Sequence, residues 1–182
     1  VGGRCGRVSC VVEGEANCVA RPGHGKPGDG PGELSPDKRS EAFIRDWNLW
    51  LRDLVSGKET QLTFDGKPDY GYATDNAGWK HTDNAILVWS PDGKQIATFQ
   101  QDQRKTSTMT LVATNVGVPK VEQWKYPFVG DEHITMIERV VIDLSGEAPK
   151  TIRLRMPPDQ HRSTCSDDLS CSNGWEDVQW AQ

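Results

Sequence analysis

The sequence predicts an all-β fold: antiparallel four-stranded blades of a partial β-propeller, about three of them, behind a Gly/Pro-rich N-terminal arm. Three observations lead there. From Leu34 onward, short apolar runs alternate with turn chemistry. A turn motif recurs 55 residues apart, as Leu34-Ser35-Pro36-Asp37-Lys38 and Trp89-Ser90-Pro91-Asp92-Gly93-Lys94, each followed by an apolar strand. A four-stranded sheet repeated at such spacing is the unit of a propeller. The first 32 residues, finally, hold nine of the 18 glycines, so composition changes sharply at Leu34.

Residues 1–33 read as a poorly ordered arm, because too few apolar side chains offset the entropy of ordering them. Residues 34–182 read as the propeller domain. Ser40 to Asp46 is a strand, and Asn48 to Leu54 follows, with Leu49 and Leu51 on one face and Trp50 and Arg52 on the other. Gly57 marks a turn, Thr60 to Phe64 the next strand, and Asp65-Gly66 closes it. Three strands joined by tight turns form an antiparallel meander. The grammar repeats in Ala85 to Trp89, Gln95 to Gln100 and Thr108 to Val112. Strands are expected again over Ile134 to Asp143 and Thr151 to Met156, and a last one over Asp177 to Trp180. In the repeated turn Pro presets φ, Asp bonds back to the backbone and Gly takes the positive φ. The tryptophans 47, 50, 89, 124 and 180 sit where packing between blades is expected.

The formal charge is −5 with acidic and basic residues interleaved. That argues against nucleic acid as a partner. No apolar stretch is long enough to span a bilayer, and Val1 to Ala20 lacks the continuous apolar core of a signal peptide. Of five cysteines none forms a CxxC pair, and the four histidines are scattered, so neither a metal nor another cofactor is expected. Cys165 and Cys171 are close enough in sequence to bridge in an oxidising compartment; the alternative is two thiols.

Asp159, His161 and Ser163 would share one face of a strand, but neighbouring side chains running parallel make a poor proton relay, and no Gly-rich elbow accompanies them. Catalytic residues are therefore assigned to none. Asp102 and Arg104 form a polar turn.

An ordered set of stretches resembles the N-terminal propeller of dipeptidyl peptidase IV and its bacterial relatives in the prolyl oligopeptidase clan. They are Ala42 to Asp53 with Gln61-Leu62-Thr63; Tyr70 to Trp79; Trp89 to Lys94 with Ala97 to Asp102; Trp124 to Pro127 with Gly130-Asp131; and Asp177 to Trp180. The resemblance implies a non-catalytic segment of a serine-type exopeptidase. It would gate and position peptide substrates for an α/β-hydrolase domain, in an exported, periplasmic or secreted protein. No Gly-x-Ser-x-Gly elbow occurs in these 182 residues, so this chain alone is expected to be inactive. The family's Glu-Glu pair, which holds the substrate's ammonium group, has no counterpart in Tyr72 to Trp79, where Asp75 is the nearest carboxylate. A partial ring would leave strand edges open to self-association. The rival reading is a self-standing propeller-like interaction module without peptidase activity; the abrupt stop after Trp180 is expected to favour the fragment.

Overall fold

The computed structural model describes residues 8–11, 17–20, 32–75, 82–114, 117–161 and 179–181, with the backbone alone at 8–11, 17–20, 75, 82 and 83. Every regular element among them is a strand, and every pairing is antiparallel. Strands β1 (Val8–Val11) and β2 (Asn17–Ala20) pair as a hairpin within the N-terminal segment.

The first larger sheet is the expected meander. It runs β3 (Glu33–Leu34), β4 (Ser40–Arg45), β5 (Asn48–Asp53) and β6 (Glu59–Gln61) in sequence order. Residues alternate between its two faces. Ala42 and Leu49 are fully buried toward the core, with Ile44 and Leu51 packed beside them. The opposite face carries Phe43 and Trp50 with an ion ladder. Arg52 binds Glu41 at 3.0 Å and Glu59 at 3.2 Å while lying 4.3 Å over the Phe43 ring. The β4–β5 loop is Asp46-Trp47, both at positive φ (49° and 60°), which matches the twist of a two-residue hairpin.

The second sheet is also four strands wide, but two of its rows are shared. One edge of β11 (Gln95–Asp102) pairs first with β10 (Val88–Trp89) and farther along with β7 (Tyr70–Tyr72). Its other edge pairs along its whole length with β14 (Met136–Asp143). The far edge of β14 takes β15 (Lys150–Arg153) and then β16 (Asp159–Gln160). A hairpin of β12 (Thr108–Ala113) and β13 (Lys120–Lys125) leaves the sheet between β11 and β14. A smaller pair, β8 (Thr74–Asp75) and β9 (Thr82–Ala85), follows β7.

The core lies between the two larger sheets, where Leu62, Tyr72, Leu87, Trp89, Ile96, Val140 and Ile142 join Ala42 and Leu49. Fully burying a Leu- or Ile-sized side chain contributes roughly 1.5–3 kcal/mol. The seam is also tied by polar contacts. Trp89 Nε1 donates to the Glu33 carbonyl at 3.3 Å, and Thr151 Oγ1 donates to the Leu62 carbonyl at 3.3 Å.

The repeated turns share their main hydrogen bonds. Ser35 Oγ donates to Asp37 Oδ1 at 2.6 Å and accepts from the Ser40 amide at 3.0 Å. Ser90 Oγ donates to Asp92 Oδ1 at 2.6 Å and accepts from the Gln95 amide at 2.9 Å. They lie side by side, since a Cβ added at Gly93 would stand 3.9 Å from Pro36 Cδ.

Several strand expectations need correction, among them Thr151 to Met156, whose strand ends at Arg153. Ala85 to Trp89 is two strands, not one. The Ile86 amide donates to the Ala73 carbonyl and its own carbonyl accepts from Thr98 Oγ1, which breaks the ladder at Ile86-Leu87. The strand over Thr60 to Phe64 stops at Gln61. Asn48 draws the chain away beyond it, accepting from the Gly66 amide at 2.9 Å and from Thr63 Oγ1 at 3.2 Å. At the C-terminal end, Asp177 and Val178 lie outside the described residues, and Gln179 to Ala181 take no strand.

Candidate functional site

Where the segment after β6 meets β15, the seam between the sheets opens into a cleft of about 490 Å³. It is lined by Thr63, Phe64, Asp65, Tyr72, Thr151 and Arg153. Sequence periodicity places these side chains. Thr151 and Arg153 are two apart on β15 and so share a face. The same rule puts Tyr72, Gln100 and Glu138 in one row across β7, β11 and β14. Asn48 fixes the loop that carries Asp65.

Arg153 collects the row. Its Nη2 donates to Asp65 Oδ2 at 3.0 Å, to the Tyr72 hydroxyl at 3.0 Å and to Gln100 Oε1. Its Nη1 donates to Glu138 Oε2 at 2.7 Å. The Tyr72 hydroxyl donates to Asp65 Oδ1 at 2.6 Å. Burial, and then the bond to the Asp65 carboxylate, push the Tyr72 phenol well above its usual range, so it remains a neutral donor. Burial alone would ease a proton off Arg153, but the surrounding tyrosines and carboxylates outweigh it and hold the guanidinium charged. Phe64, 77% exposed, supplies an apolar lip.

This arrangement can hold a polar group. Of the three lining hydroxyls, Thr63 and Thr151 donate to Asn48 Oδ1 and the Leu62 carbonyl. The third, Tyr72, donates to the Asp65 carboxylate, but its raised pKa keeps the phenol neutral.

None of the described residues singled out from sequence as site candidates lines the cleft. Asp75 closes β8 opposite Thr82, and its side chain is outside the described residues. Asp102 and Arg104 form a two-pronged ion pair, at 2.9 and 2.6 Å, with the guanidinium 4.1 Å over the Tyr70 ring. Asp159 binds Arg139 at 3.3 Å, while His161 stands edge-on to Phe99 at 6.3 Å. Ser163, Cys165 and Cys171 lie outside the described residues. Among the described residues no group of three or more His, Cys, Asp or Glu could hold a metal, and no helix is long and apolar enough to cross a membrane.

Sequence reasoning missed the cluster around Arg153. The local signals, alternation in Thr151-Ile152-Arg153 and the Tyr70-Gly71-Tyr72 run, do not say which distant residues meet.

The model of the dipeptidyl peptidase IV N-terminal region matches residues 17–182. The chain belongs to that family. A Probable dipeptidyl-aminopeptidase B of Phaeosphaeria nodorum is 30% identical over 112 residues, which are 53% of this chain and 12% of the relative. Its counterpart in Verticillium alfalfae is 28% identical over 138 residues, or 62% of this chain and 16% of that one. Among solved structures, the crystal structure of Porphyromonas gingivalis dipeptidyl peptidase 4 superimposes with a TM-score of 0.53 at 18% identity. That match covers 82% of this chain and 20% of the other, and it shows the shared fold of the propeller region. The chain thus spans a fifth or less of the length of these relatives.

Proposed function

We propose that this dipeptidyl peptidase IV N-terminal region is a non-catalytic segment of a serine-type exopeptidase. It gates and positions peptide substrates for an α/β-hydrolase domain that residues 1–182 do not supply. The family match over residues 17–182 carries this reading. The chemistry of the cleft supports it, since its lining groups hold and orient rather than attack. In this reading the work is orientation of the substrate, which lowers the barrier by prepaying entropy. Asp75, at the end of β8, is the carboxylate we assign to the substrate's ammonium group. A single carboxylate anchors an amine less firmly than a pair, so selection for a free N-terminus is expected to be modest. The reading also places the parent protein outside the cytoplasm, periplasmic or secreted, which cell fractionation would check.

The test is turnover of a Gly-Pro chromogenic substrate by the purified chain. Release should not rise above the buffer blank. Turnover abolished by Ser163→Ala would overturn the reading, because the Asp159-His161-Ser163 cluster would then be catalytic.

A further inference from the structure

The cluster around Arg153 holds more acceptors than its donors can serve. Nη2 of the guanidinium carries a pair of hydrogens, yet three acceptors crowd it: Asp65 Oδ2, the Tyr72 hydroxyl and Gln100 Oε1. Nη1 donates to Glu138 Oε2, and Glu138 Oε1 takes no bond from any described residue. Two carboxylates thus face one guanidinium, which leaves a negative charge unmatched. The cations beside the cluster are engaged elsewhere. Arg104 grips Asp102 by two bonds, and Lys67 lies 5.6 Å from the Tyr70 ring. Both carboxylates of the cluster remain open to solvent, and the exposed ring of Phe64 stands at the mouth of the same cleft. Surplus acceptors, surplus negative charge and an exposed aromatic face all call for a cation.

We propose that this cleft binds an arginine side chain presented by a peptide segment. Asp65 and Glu138 already bridge the two ends of one guanidinium, so they stand at the spacing that a second, laid alongside, would span. The incoming group donates to Glu138 Oε1 and to the remaining lone pairs of Asp65, while its plane and stem lie against Phe64. Arginine fits better than lysine because its donors are set in a planar fork that reaches two carboxylates at once and stacks on a ring. An anion fits poorly, since it would have to displace the carboxylates that hold Arg153. A cleft of about 490 Å³ has room for the side chain and the backbone that carries it. The inference rests on the cleft as a peptide-holding part of the proposed function, and names the side chain it holds.

Titration of the full, isotope-labelled chain with acetyl-Gly-Arg-Gly-amide, followed by NMR, tests this. The amides of Phe64, Asp65, Ile152 and Arg153 should shift saturably. Glu138→Gln keeps the side chain's shape but removes the surplus charge, and should weaken binding about tenfold. Phe64→Ala should weaken it by a smaller factor. Glu122→Gln, the same change at an exposed position of β13, should leave it unaltered. Affinity unmoved by Glu138→Gln, or lowered as much by Glu122→Gln, overturns the inference. Where Glu138→Gln loses its fold, Phe64→Ala at the exposed lip decides, and unchanged affinity there overturns it. Acetyl-Gly-Glu-Gly-amide or acetyl-Gly-Leu-Gly-amide binding as well as the arginine peptide overturns the inference alone, leaving a cleft that holds peptides. Binding of none of the three overturns the inference together with the cleft's part in the proposed function.

Discussion

Lys38 and Gly93 occupy the same position in the twin turns, at φ of 58° and 70°. Only glycine takes that conformation without a Cβ penalty. Lys38→Gly should therefore raise stability by about 0.5–1 kcal/mol, and Gly93→Ala should lower it by about 1 kcal/mol. The second change isolates the backbone effect, because its new methyl meets nothing closer than 3.9 Å. Urea unfolding of both variants checks the pair, and effects of the same sign would refute it. Tyr72→Phe removes a buried donor to Asp65 and an acceptor for Arg153. A loss of about 1–2 kcal/mol is expected in the same measurement, with little change if the cluster is only surface decoration. The turn residues were legible in sequence because their chemistry is local, as in Ser90 to Asp92. The Arg153 cluster was not, because its guanidinium reaches Asp65 and Tyr72, 88 and 81 residues back along the chain.

Among the elements, β4 and β5 were readable because each carries apolar residues between polar ends and stops at a tight turn. Strand β13 was not, since Lys120-Val121-Glu122-Gln123-Trp124-Lys125 carries no clear alternation and owes its conformation to pairing with β12. The break at Ile86-Leu87 was hidden for the converse reason: an unbroken apolar run does not reveal that its backbone bonds to two different neighbours. Gly66 ends the excursion after β6, where an added Cβ would stand 2.2 Å from the Trp47 carbonyl. Gly66→Ala should cost about 1–3 kcal/mol and disturb the loop holding Asp65, checked by urea unfolding.

The turns also set the response to acid. Asp37, Asp92 and Asp143 are held below the usual carboxylate range chiefly by serine hydroxyls, Asp53 by the Ser56 amide and Asp102 by the Arg104 side chain. A carboxylate depressed in the folded state stabilises above its unfolded value, about 3.9, and that contribution is lost as pH falls through the folded value. Glu33, raised by burial, acts in the opposite sense but is a single group. The urea midpoint should therefore hold from neutrality to about pH 5 and decline below about pH 4. A midpoint that climbs on acidification would contradict this.

At the scale of the whole molecule, two sheets packed face to face with their Ser-Pro-Asp turns side by side account for the internal repeat. The fold class was legible because that repeat is both a sequence and a structural period. The family followed from the order of the stretches rather than from any one of them. The proposed role in positioning a substrate was less legible, because such a role would need no diagnostic residue. The most direct test of a non-catalytic role beside a hydrolase domain is the transcript's reading frame beyond the codon for Gln182. An open frame running into a Gly-x-Ser-x-Gly elbow with its downstream Asp and His is the predicted result. A stop codon immediately after Gln182, in a transcript that yields a stable protein, would contradict it and leave a self-standing interaction module.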